Sequence, residues 1–367
     1  MNPCKIAMIV SGFPRRSETF ALQELLALQK KGLLLQIFAT KPGDGLPLHP
    51  DAQPLLDQVE YLPPGSPAQQ AERVVQRLEG QAVSGIHGYF AHTPAEVAAH
   101  VAKKLDRPYG FSTHALDARK VPAAILAERA KNTACMIACN DDVAEDLKKI
   151  GGLVTLMPHG VDLERFSPSP LPACETLSLL SVGRLVEKKG FHLLIRALSR
   201  VSFPFHLRII GEGPERERLE KDIEAHALSD RIALCGGMSH AELPEAYKNA
   251  QIVVVPSIVN RAGDRDGLPN VVLEAMASGR PVIAHNVGAI KSAIVSGETG
   301  VLLDAGNENA LVNVLESLAK DPRLCERLGG NARQRVERDF ELGLCTDRFT
   351  EFLKAVYTQE TPPLSKL

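Results

Sequence analysis

The sequence lacks a surplus of charge of either sign, and it lacks any interleaving of aromatic and basic residues. Its 42 lysines and arginines nearly balance its 44 aspartates and glutamates, and the basic residues are dispersed along the chain. Proteins that bind nucleic acids concentrate positive charge on one face or along one segment. Nucleic acid is therefore not an expected partner.

Paired cysteines and long hydrophobic runs are also missing. The seven cysteines are scattered, odd in number and without a C-x-x-C pair, which is typical of reduced core residues in a cytosolic protein. No apolar segment of a secretory signal follows Met1, and the longest apolar runs, such as residues 6–10 and 252–255, have strand length. We expect a cytoplasmic protein. The chain also has three basic pairs that can contact an anionic membrane, so peripheral contact with its inner face is an alternative. They are Arg15/Arg16, Lys30/Lys31 and Lys103/Lys104.

What the chain does have is an alternation of short apolar strands with amphipathic helices, typical of an α/β fold. Its 367 residues, of which 44% are hydrophobic, suffice for about two domains. The predicted strands cover residues 5–10, 34–39, 59–62, 86–90, 109–113, 135–139 and 154–157 in a first series, and 177–182, 207–210, 232–234, 252–255, 282–284 and 301–303 in a second.

A proline-rich stretch at residues 167–172 separates the two series and predicts an interdomain linker. We therefore expect one Rossmann-like domain at residues 1–168 and another at residues 169–340. Residues 341–367 would form a helix that crosses back onto the first domain. Two such units predict a ligand site at the carboxyl ends of the strands.

The first predicted strand is followed by SGFPRRSETF at residues 11–20 and not by G-x-G-x-x-G, which counts against an NAD-dependent enzyme. Gly12 would let an acceptor or phosphate approach the backbone closely.

Three segments of the second series carry the candidate chemistry. The loop SVGRLVEKKG at residues 181–190 places an arginine and lysines after a strand, where they can bracket a diphosphate. The turn IGEGP at residues 210–214 is a partial glycine-rich turn. In DGLPNVVLE at residues 266–274, Pro269 suits the first turn of a helix, whose free N–H groups favour an anion. Each segment alone also has a plain interpretation as a solvated loop, a tight turn or an N-cap.

Together and in this order, the three segments resemble the signature of the family 4 glycosyltransferases. MPHGVDLERFSP at residues 157–168 resembles the family's P-N-G-V-D-x-x-x-F turn, so the resemblance spans both domains. Phe13-Pro14, SETF at residues 17–20 and GDRDG at 263–267 are similar to a subgroup of bacterial exopolysaccharide and surface-glycan enzymes. The resemblance implies the GT-B fold, in which two Rossmann-like domains with parallel sheets face each other across a cleft. It also implies that the domain at residues 1–168 binds the acceptor and that the domain at residues 169–340 binds the nucleotide sugar.

The resemblance also implies roles for particular residues. Arg184 and Lys189 would hold the donor diphosphate, and Glu274 would bind the ribose. Asp266 and His114 would meet the donor sugar, with His114 at the end of a first-domain strand. The remaining donor-binding positions are Gly12, Gly183, Gly211, Gly213, Gly267, Leu268 and Pro269.

The implied reaction is transfer of a sugar from a UDP- or GDP-linked donor to a hydroxyl of a sugar, lipid-linked or small-molecule acceptor, with retention of anomeric configuration. No cofactor is implied, and the leaving phosphate can accept the acceptor's proton. A double displacement with a carboxylate nucleophile stays open. Asp264-Arg265-Asp266 also spells the D-x-D of metal-dependent enzymes, but the resemblance assigns Asp266 to the donor sugar, so no metal site is predicted.

The sequence departs from the family pattern at three places. Asp266 replaces the usual glutamate, Lys291-Ser292 replaces the end of the G-G-I-P-E segment, and His159 replaces an asparagine. These departures leave two alternatives open: a non-catalytic nucleotide-sugar-binding protein and a nucleotide-sugar epimerase.

Overall fold

The computed structural model describes residues 3–15, 18–44, 50–114, 119–172, 175–239 and 241–359, and its contacts divide the chain into two compact units. Unit 1 comprises Met1–Gly160 with Gly343–Leu367, and unit 2 comprises Val161–Leu342. None of the helices in the described ranges is both long and apolar enough to cross a membrane.

Unit 1 contains a seven-stranded sheet in which every neighbouring pair is parallel. The strands are β1 (Ile6–Phe13), β2 (Leu34–Pro42), β3 (Val59–Tyr61), β4 (Gly85–Tyr89), β5 (Tyr109–Thr113), β6 (Cys135–Ala138) and β7 (Val154–Leu156). The helices are α1 (Thr19–Lys30), α2 (Pro67–Leu78), α3 (Thr93–Leu105), α4 (Ala123–Lys131) and α5 (Asp141–Ile150), with a 3-10 helix at Pro50–Gln58. The strand order is β3-β2-β1-β4-β5-β6-β7.

Unit 2 repeats this plan with a six-stranded parallel sheet. Its strands are β8 (Leu177–Val182), β9 (Phe205–Ile210), β10 (Ile232–Leu234), β11 (Ile252–Val255), β12 (Val282–His285) and β13 (Val301–Leu303), in the order β10-β9-β8-β11-β12-β13. Its helices are α6 (Phe191–Leu198), α7 (Arg216–Ala225), α8 (Leu243–Lys248), α9 (Asn270–Ala277), α10 (Ile290–Ala293), α11 (Glu308–Lys320) and α12 (Pro322–Asp339), with a 3-10 helix at Glu187–Lys189.

The central strands form where the sequence is continuously apolar. β1 and β11 are buried along their whole lengths, because helices cover both faces of a parallel sheet. In both sheets the strand order reverses next to the first strand, between β1 and β4 and between β8 and β11. Loops that leave the carboxyl ends of strands beside such a reversal form the usual ligand crevice of doubly wound sheets. This two-domain Rossmann-like architecture confirms the predicted fold class.

The last helix, α13 (Leu342–Thr358), completes unit 1. Phe349, Phe352, Leu353 and Tyr357 belong to the same apolar cluster as β1 and α1. The Tyr357 hydroxyl lies 2.9 Å from His87 Nδ1 and donates to the carbonyl of Ile86 at 3.1 Å. The helix therefore packs on the sheet of unit 1, as the GT-B prediction requires.

The proline-rich stretch before β8 lies inside unit 2. The buried guanidinium of Arg280 donates to the carbonyls of Ser169 and Pro170, and Arg333 donates to the carbonyl of Phe166. Val161 also pairs with Glu341 in an isolated bridge. The contacts thus divide the chain at residues 160/161, eight residues before the predicted boundary. Arg280 ties the proline-rich stretch to unit 2, and Arg333 does the same for the residue before it.

We predict that Tyr357→Ala lowers the thermal unfolding midpoint of unit 1, because it leaves a cavity and removes one of the two polar partners of buried His87. Truncation of a buried aromatic residue costs about 3–5 kcal/mol. Differential scanning calorimetry measures the change, and Lys354→Ala, at an exposed position of the same helix, is the control. Equal midpoints in the two variants would contradict the role of α13 in the core.

Candidate active site

Two of the predicted donor residues of unit 2, Lys189 and Asp266, come together in the loops that follow β8 and β11. The 3-10 helix Glu187–Lys189 follows β8 and presents two consecutive lysines. Lys189 Nζ lies 2.7 Å from Asp266 Oδ2, and Lys188 Nζ lies 3.5 Å from Asp266 Oδ1. The Ser257 hydroxyl donates to Asp266 Oδ2 at 3.0 Å. Asp266 therefore lies at the centre of a polar cluster built from both loops.

The side chain of Asp266 is only 11% exposed. Burial raises the pKa of such a carboxyl group, but Lys189, Lys188 and Ser257 outweigh this effect and hold the pKa of Asp266 below its usual value. The carboxylate is therefore ionised at neutral pH. Lys188 also bonds Asp264 at 3.1 Å, so both acidic residues of the D-x-D sequence are ion-paired with lysine.

Close backbone contacts explain why several of the predicted positions require glycine. A Cβ atom on Gly211 would lie 1.9 Å from the carbonyl oxygen of Gly183, and one on Gly213 would lie 2.4 Å from that of Leu185. These glycines allow the loops after β8 and β9 to run in contact. In unit 1, a Cβ atom on Gly12 would lie 2.6 Å from the carbonyl oxygen of Pro42, so Gly12 serves the approach of β2 to β1.

The helix α9 begins one residue later than predicted. Pro269 has extended backbone angles and occupies the N-cap, with Asn270 as the first helical residue, because its fixed φ suits the residue that precedes the helix equally well. The amides of Gly267 and Leu268 donate no hydrogen bond to any residue in the described ranges. Gly288 packs against this turn, since a Cβ atom there would lie 2.1 Å from the carbonyl oxygen of Asp266.

Glu274 lies within α9 and is buried, with 6% of its surface exposed. The Tyr247 hydroxyl donates to its Oε2 at 2.8 Å. Burial raises the pKa of Glu274 to about 7, although the Tyr247 hydrogen bond and the charge of Arg165 oppose the increase. A buried carboxyl group that titrates near neutral pH is typical of functional sites.

The side chain of Arg184, the other predicted ligand of the donor diphosphate besides Lys189, is exposed just after the end of β8.

His114 lies in unit 1 directly after β5, where it contacts residues that sequence reasoning had not linked to it. Its Nε2 is 3.2 Å from Nε2 of His159, whose Nδ1 is 2.9 Å from Glu24 Oε1. Burial lowers the pKa of His114 well below its usual value, and the charges of His159 and His92 add to the effect. The departure at His159 was a signal for this contact, but Glu24 gave no signal beyond its place in an amphipathic helix.

Three side chains that can act as metal ligands also cluster here. His114, Cys139 and His159 each offer one ligand atom, and these atoms all lie within 4.8 Å of one another. Cysteine and histidine side chains are the ligands that zinc prefers. The sequence predicted no metal site, and this cluster of unit 1 is separate from the D-x-D carboxylates.

Comparisons with known proteins identify the family of the chain. The family model described as "Glycosyltransferase Family 4" matches residues 17–165, and that described as "Glycosyl transferases group 1" matches residues 165–335. A protein of Escherichia coli (strain K12) that is named as a colanic acid biosynthesis glycosyltransferase, WcaL, is 26% identical over 96% of this chain and 100% of its own length. Alpha-D-kanosaminyltransferase of Streptomyces kanamyceticus is 32% identical, over 48% of this chain and 45% of its own.

Solved structures share the fold. Anabaena Alr3699/HepE in complex with UDP superimposes with a TM-score of 0.81 at 19% identity, covering 96% of this chain and 100% of that one. Sucrose-phosphate synthase from Thermosynechococcus elongatus gives a TM-score of 0.78 at 23% identity, covering 98% and 100%. Because two adjoining family models together match most of the sequence and these folds match nearly all of it, the chain belongs to glycosyltransferase family 4 and has the GT-B fold.

Proposed function

We propose that this protein transfers a sugar from a nucleotide-sugar donor to an acceptor hydroxyl, with retention of anomeric configuration and without a metal ion. The observation that supports the proposal is the polar cluster of unit 2, where Lys188, Lys189, Asp266 and the free amides of Gly267 and Leu268 lie beside the strand-order reversal of the sheet. Backbone amides and lysines in such a crevice suit a diphosphate.

The donor's diphosphate is the group that these charges match. As the glycosidic bond breaks, negative charge grows on the leaving nucleoside diphosphate, and preformed cations and amides stabilise it. Lys189 contacts the Asp266 carboxylate, and exposed Arg184 supplies a planar fork for phosphate oxygens. Lys188 and Lys189 already neutralise the D-x-D carboxylates, so the charge of the site does not require a divalent cation.

Glu274 is the proposed ribose ligand. An ionised carboxylate accepts hydrogen bonds from two neighbouring hydroxyls, and Tyr247 holds the side chain in place from the buried side. Relatives support either of two bases: HepE structures are described as complexes with UDP and with UDP-glucose, and a mannosyltransferase of Mycolicibacterium smegmatis that is 31% identical over 47% of this chain is described as GDP-mannose-dependent. The donor is therefore proposed to carry uridine or guanosine.

Asp266 and His114 are the proposed contacts of the transferred sugar. Asp266 is ionised and held by three partners, which suits a group that orients the donor. In this account the leaving phosphate accepts the proton of the acceptor hydroxyl, and the donor and acceptor react on the same face of the sugar ring. No carboxylate then needs to form a covalent intermediate.

The acceptor is proposed to be a sugar hydroxyl of a growing surface glycan, free or lipid-linked, by likeness to the colanic acid relative. The basic pairs proposed to meet a membrane are mostly occupied: Arg15 pairs with Glu18, Lys31 with Asp347 and Lys104 with Glu72. Arg16 lies outside the described residues. We propose a cytoplasmic enzyme that meets its acceptor at the inner face of the membrane. The ion-paired basic residues do not support this location.

A thermal-shift panel of UDP-, GDP-, ADP- and CMP-sugars with their nucleoside diphosphates tests the donor site. We expect one nucleotide family to raise the unfolding midpoint, since ligands that bind only the folded state stabilise it. The shift should disappear in Arg184→Ala and Glu274→Ala, persist in Glu217→Gln on exposed α7, and be unchanged by EDTA.

The outcomes of the panel separate the alternatives. No shift with any nucleotide would contradict the proposal, and a shift that EDTA abolishes would contradict metal independence. Conversion of the bound sugar without an acceptor would indicate an epimerase, and binding without any transfer would indicate a non-catalytic protein.

Donor affinity should rise with pH. The pKa of Glu274 is raised to about 7, so the ionised form that accepts ribose hydrogen bonds is the minor form at pH 6 and the major form at pH 8. Because only this form binds well, we expect the dissociation constant to fall by about tenfold between pH 6 and pH 8. Calorimetric titration of the nucleotide sugar measures it. Glu217→Gln should keep the slope, and an affinity that is flat or falls with pH would contradict the role of Glu274.

A further inference from the structure

A continuous set of hydrogen bonds in unit 1 ends at His114. The Tyr89 hydroxyl donates to Glu24 Oε2 at 2.5 Å, Glu24 Oε1 lies 2.9 Å from His159 Nδ1, and His159 Nε2 lies 3.2 Å from His114 Nε2. The two imidazole planes differ by only 8°. Phe20 stacks on both rings, at centroid distances of 4.9 Å from His114 and 4.4 Å from His159. We name these five side chains the Glu24 network.

The network fixes where the ring protons lie. An ionised carboxylate can only accept hydrogen bonds, so Nδ1 of His159 must carry a hydrogen that it donates to Glu24. In the neutral form of His159, the lone pair lies on Nε2 and faces Nε2 of His114. With His159 in this form, the contact is favourable when His114 carries its hydrogen on Nε2. Glu24 thereby determines the tautomer of a ring that it does not touch.

Burial gives this arrangement its strength. The side chains of Glu24 and His159 are 8% and 16% exposed, so little water is available to replace a broken hydrogen bond. Burial also lowers the pKa of His114 well below its usual value, which keeps that ring neutral with a single N–H group.

The same atoms do not need a metal ion to be satisfied. Zinc bonds nitrogen at about 2.0–2.1 Å and sulfur at about 2.3 Å, which places neighbouring ligand atoms about 3.3–3.6 Å apart. One proton satisfies the 3.2 Å contact of the two nitrogens, and Cys139 Sγ accepts a hydrogen bond from Asn140 Nδ2 at 3.1 Å. The two Nε2 atoms and the Cys139 sulfur therefore each have a hydrogen-bonding neighbour.

We propose that Glu24 and His159 are positioning residues that hold the His114 ring in one orientation and one tautomer, with the proton on Nε2. The inference rests on the proposed function in one respect: the consequence for turnover assumes that His114 contacts the transferred sugar. The asparagine usual at position 159 has a shorter side chain than histidine, so this chain reaches from Glu24 to His114 with a second imidazole.

Nuclear magnetic resonance of histidine ring nitrogens tests the proposal without any substrate. In protein labelled with ¹⁵N-histidine, long-range ¹H–¹⁵N spectra identify which ring nitrogen carries the hydrogen, and His114→Gln and His159→Gln assign the two rings. We expect His114 to be protonated on Nε2 and His159 on Nδ1. In Glu24→Gln, the amide can either donate to His159 or accept from it, so both rings should become mixtures of tautomers.

Two further variants keep the test decisive. Glu60→Gln removes a carboxylate of unit 1 that pairs with Arg73 and Arg77, and it should leave both ring patterns unchanged. If Glu24→Gln does not fold, His159→Phe keeps a ring against Phe20 while removing both hydrogen bonds, and the His114 proton should redistribute. A His114 ring protonated on Nδ1 in the unmodified protein, or an unchanged pattern in Glu24→Gln, would overturn the proposal.

Metal analysis by mass spectrometry is the second arm. After incubation with Zn²⁺ and gel filtration, we expect far less than one equivalent of zinc. One equivalent that is lost in Cys139→Ser would overturn the proposal in favour of a metal site.

Kinetics with the donor and acceptor give the third arm. Glu24→Gln should lower kcat by about 10- to 100-fold, the range for a substrate contact that is misplaced by about 1 Å, and should change the KM for the donor by less than about threefold. Loss of donor affinity without loss of kcat would contradict the positioning role. If the ring pattern is as expected but no donor binds, the proposed function fails while the network stands.

Discussion

The ion pairs of Asp266 are the interaction on which the donor site depends. A largely buried carboxylate is costly unless cations and hydrogen bonds compensate for its lost hydration, and here Lys188, Lys189 and Ser257 do so. The lysines come from the loop after β8 and the carboxylate from the segment after β11. Gly190 brings these loops together, since a Cβ atom there would lie 1.9 Å from the carbonyl oxygen of Pro256. The reversal of strand order thus becomes a charged crevice.

Both units use a buried glutamate in a similar way. Tyr247 donates to Glu274 in unit 2, and Tyr89 donates to Glu24 in unit 1. The two sites differ in how the second carboxylate oxygen is used. In unit 1, Glu24 Oε1 bonds the imidazole of His159. In unit 2, burial raises the pKa of Glu274 to about 7. In our account, Glu274 gains its partner when ribose binds, and Glu24 already holds its partner in the free protein.

The sequence predicted the strands well because continuous apolar runs such as β1 and β11 have no other place in an α/β fold than a sheet covered on both faces. The motifs also assigned Asp266 and Glu274 to the second domain, and both residues lie in unit 2. Contacts between distant residues were not predictable: 135 positions separate Glu24 from His159. Neither residue type is unusual in its local segment, so only the fold brings them together.

Local backbone details escaped prediction for a related reason. Prolines at residues 168–172 are typical of a linker, but Arg280, which binds this stretch, lies more than 100 positions further along the chain. Pro269 is compatible with either the N-cap or the first turn of a helix. In the structure it occupies the N-cap, and Gly288 packs against the backbone of Asp266 just before it. Tertiary contacts decide such cases, and a pattern along the chain does not contain them.

Calorimetric titration of the preferred nucleoside diphosphate into Lys189→Met tests the central claim most directly. A lost hydrogen bond to a charged group costs about 1.5–3 kcal/mol, so we expect affinity to fall by at least about tenfold. Lys248→Met, at the last residue of α8 in the same unit, should bind as the unmodified protein does. Equal affinity in both variants would show that Lys189 serves only to hold Asp266 and would contradict the proposed diphosphate site.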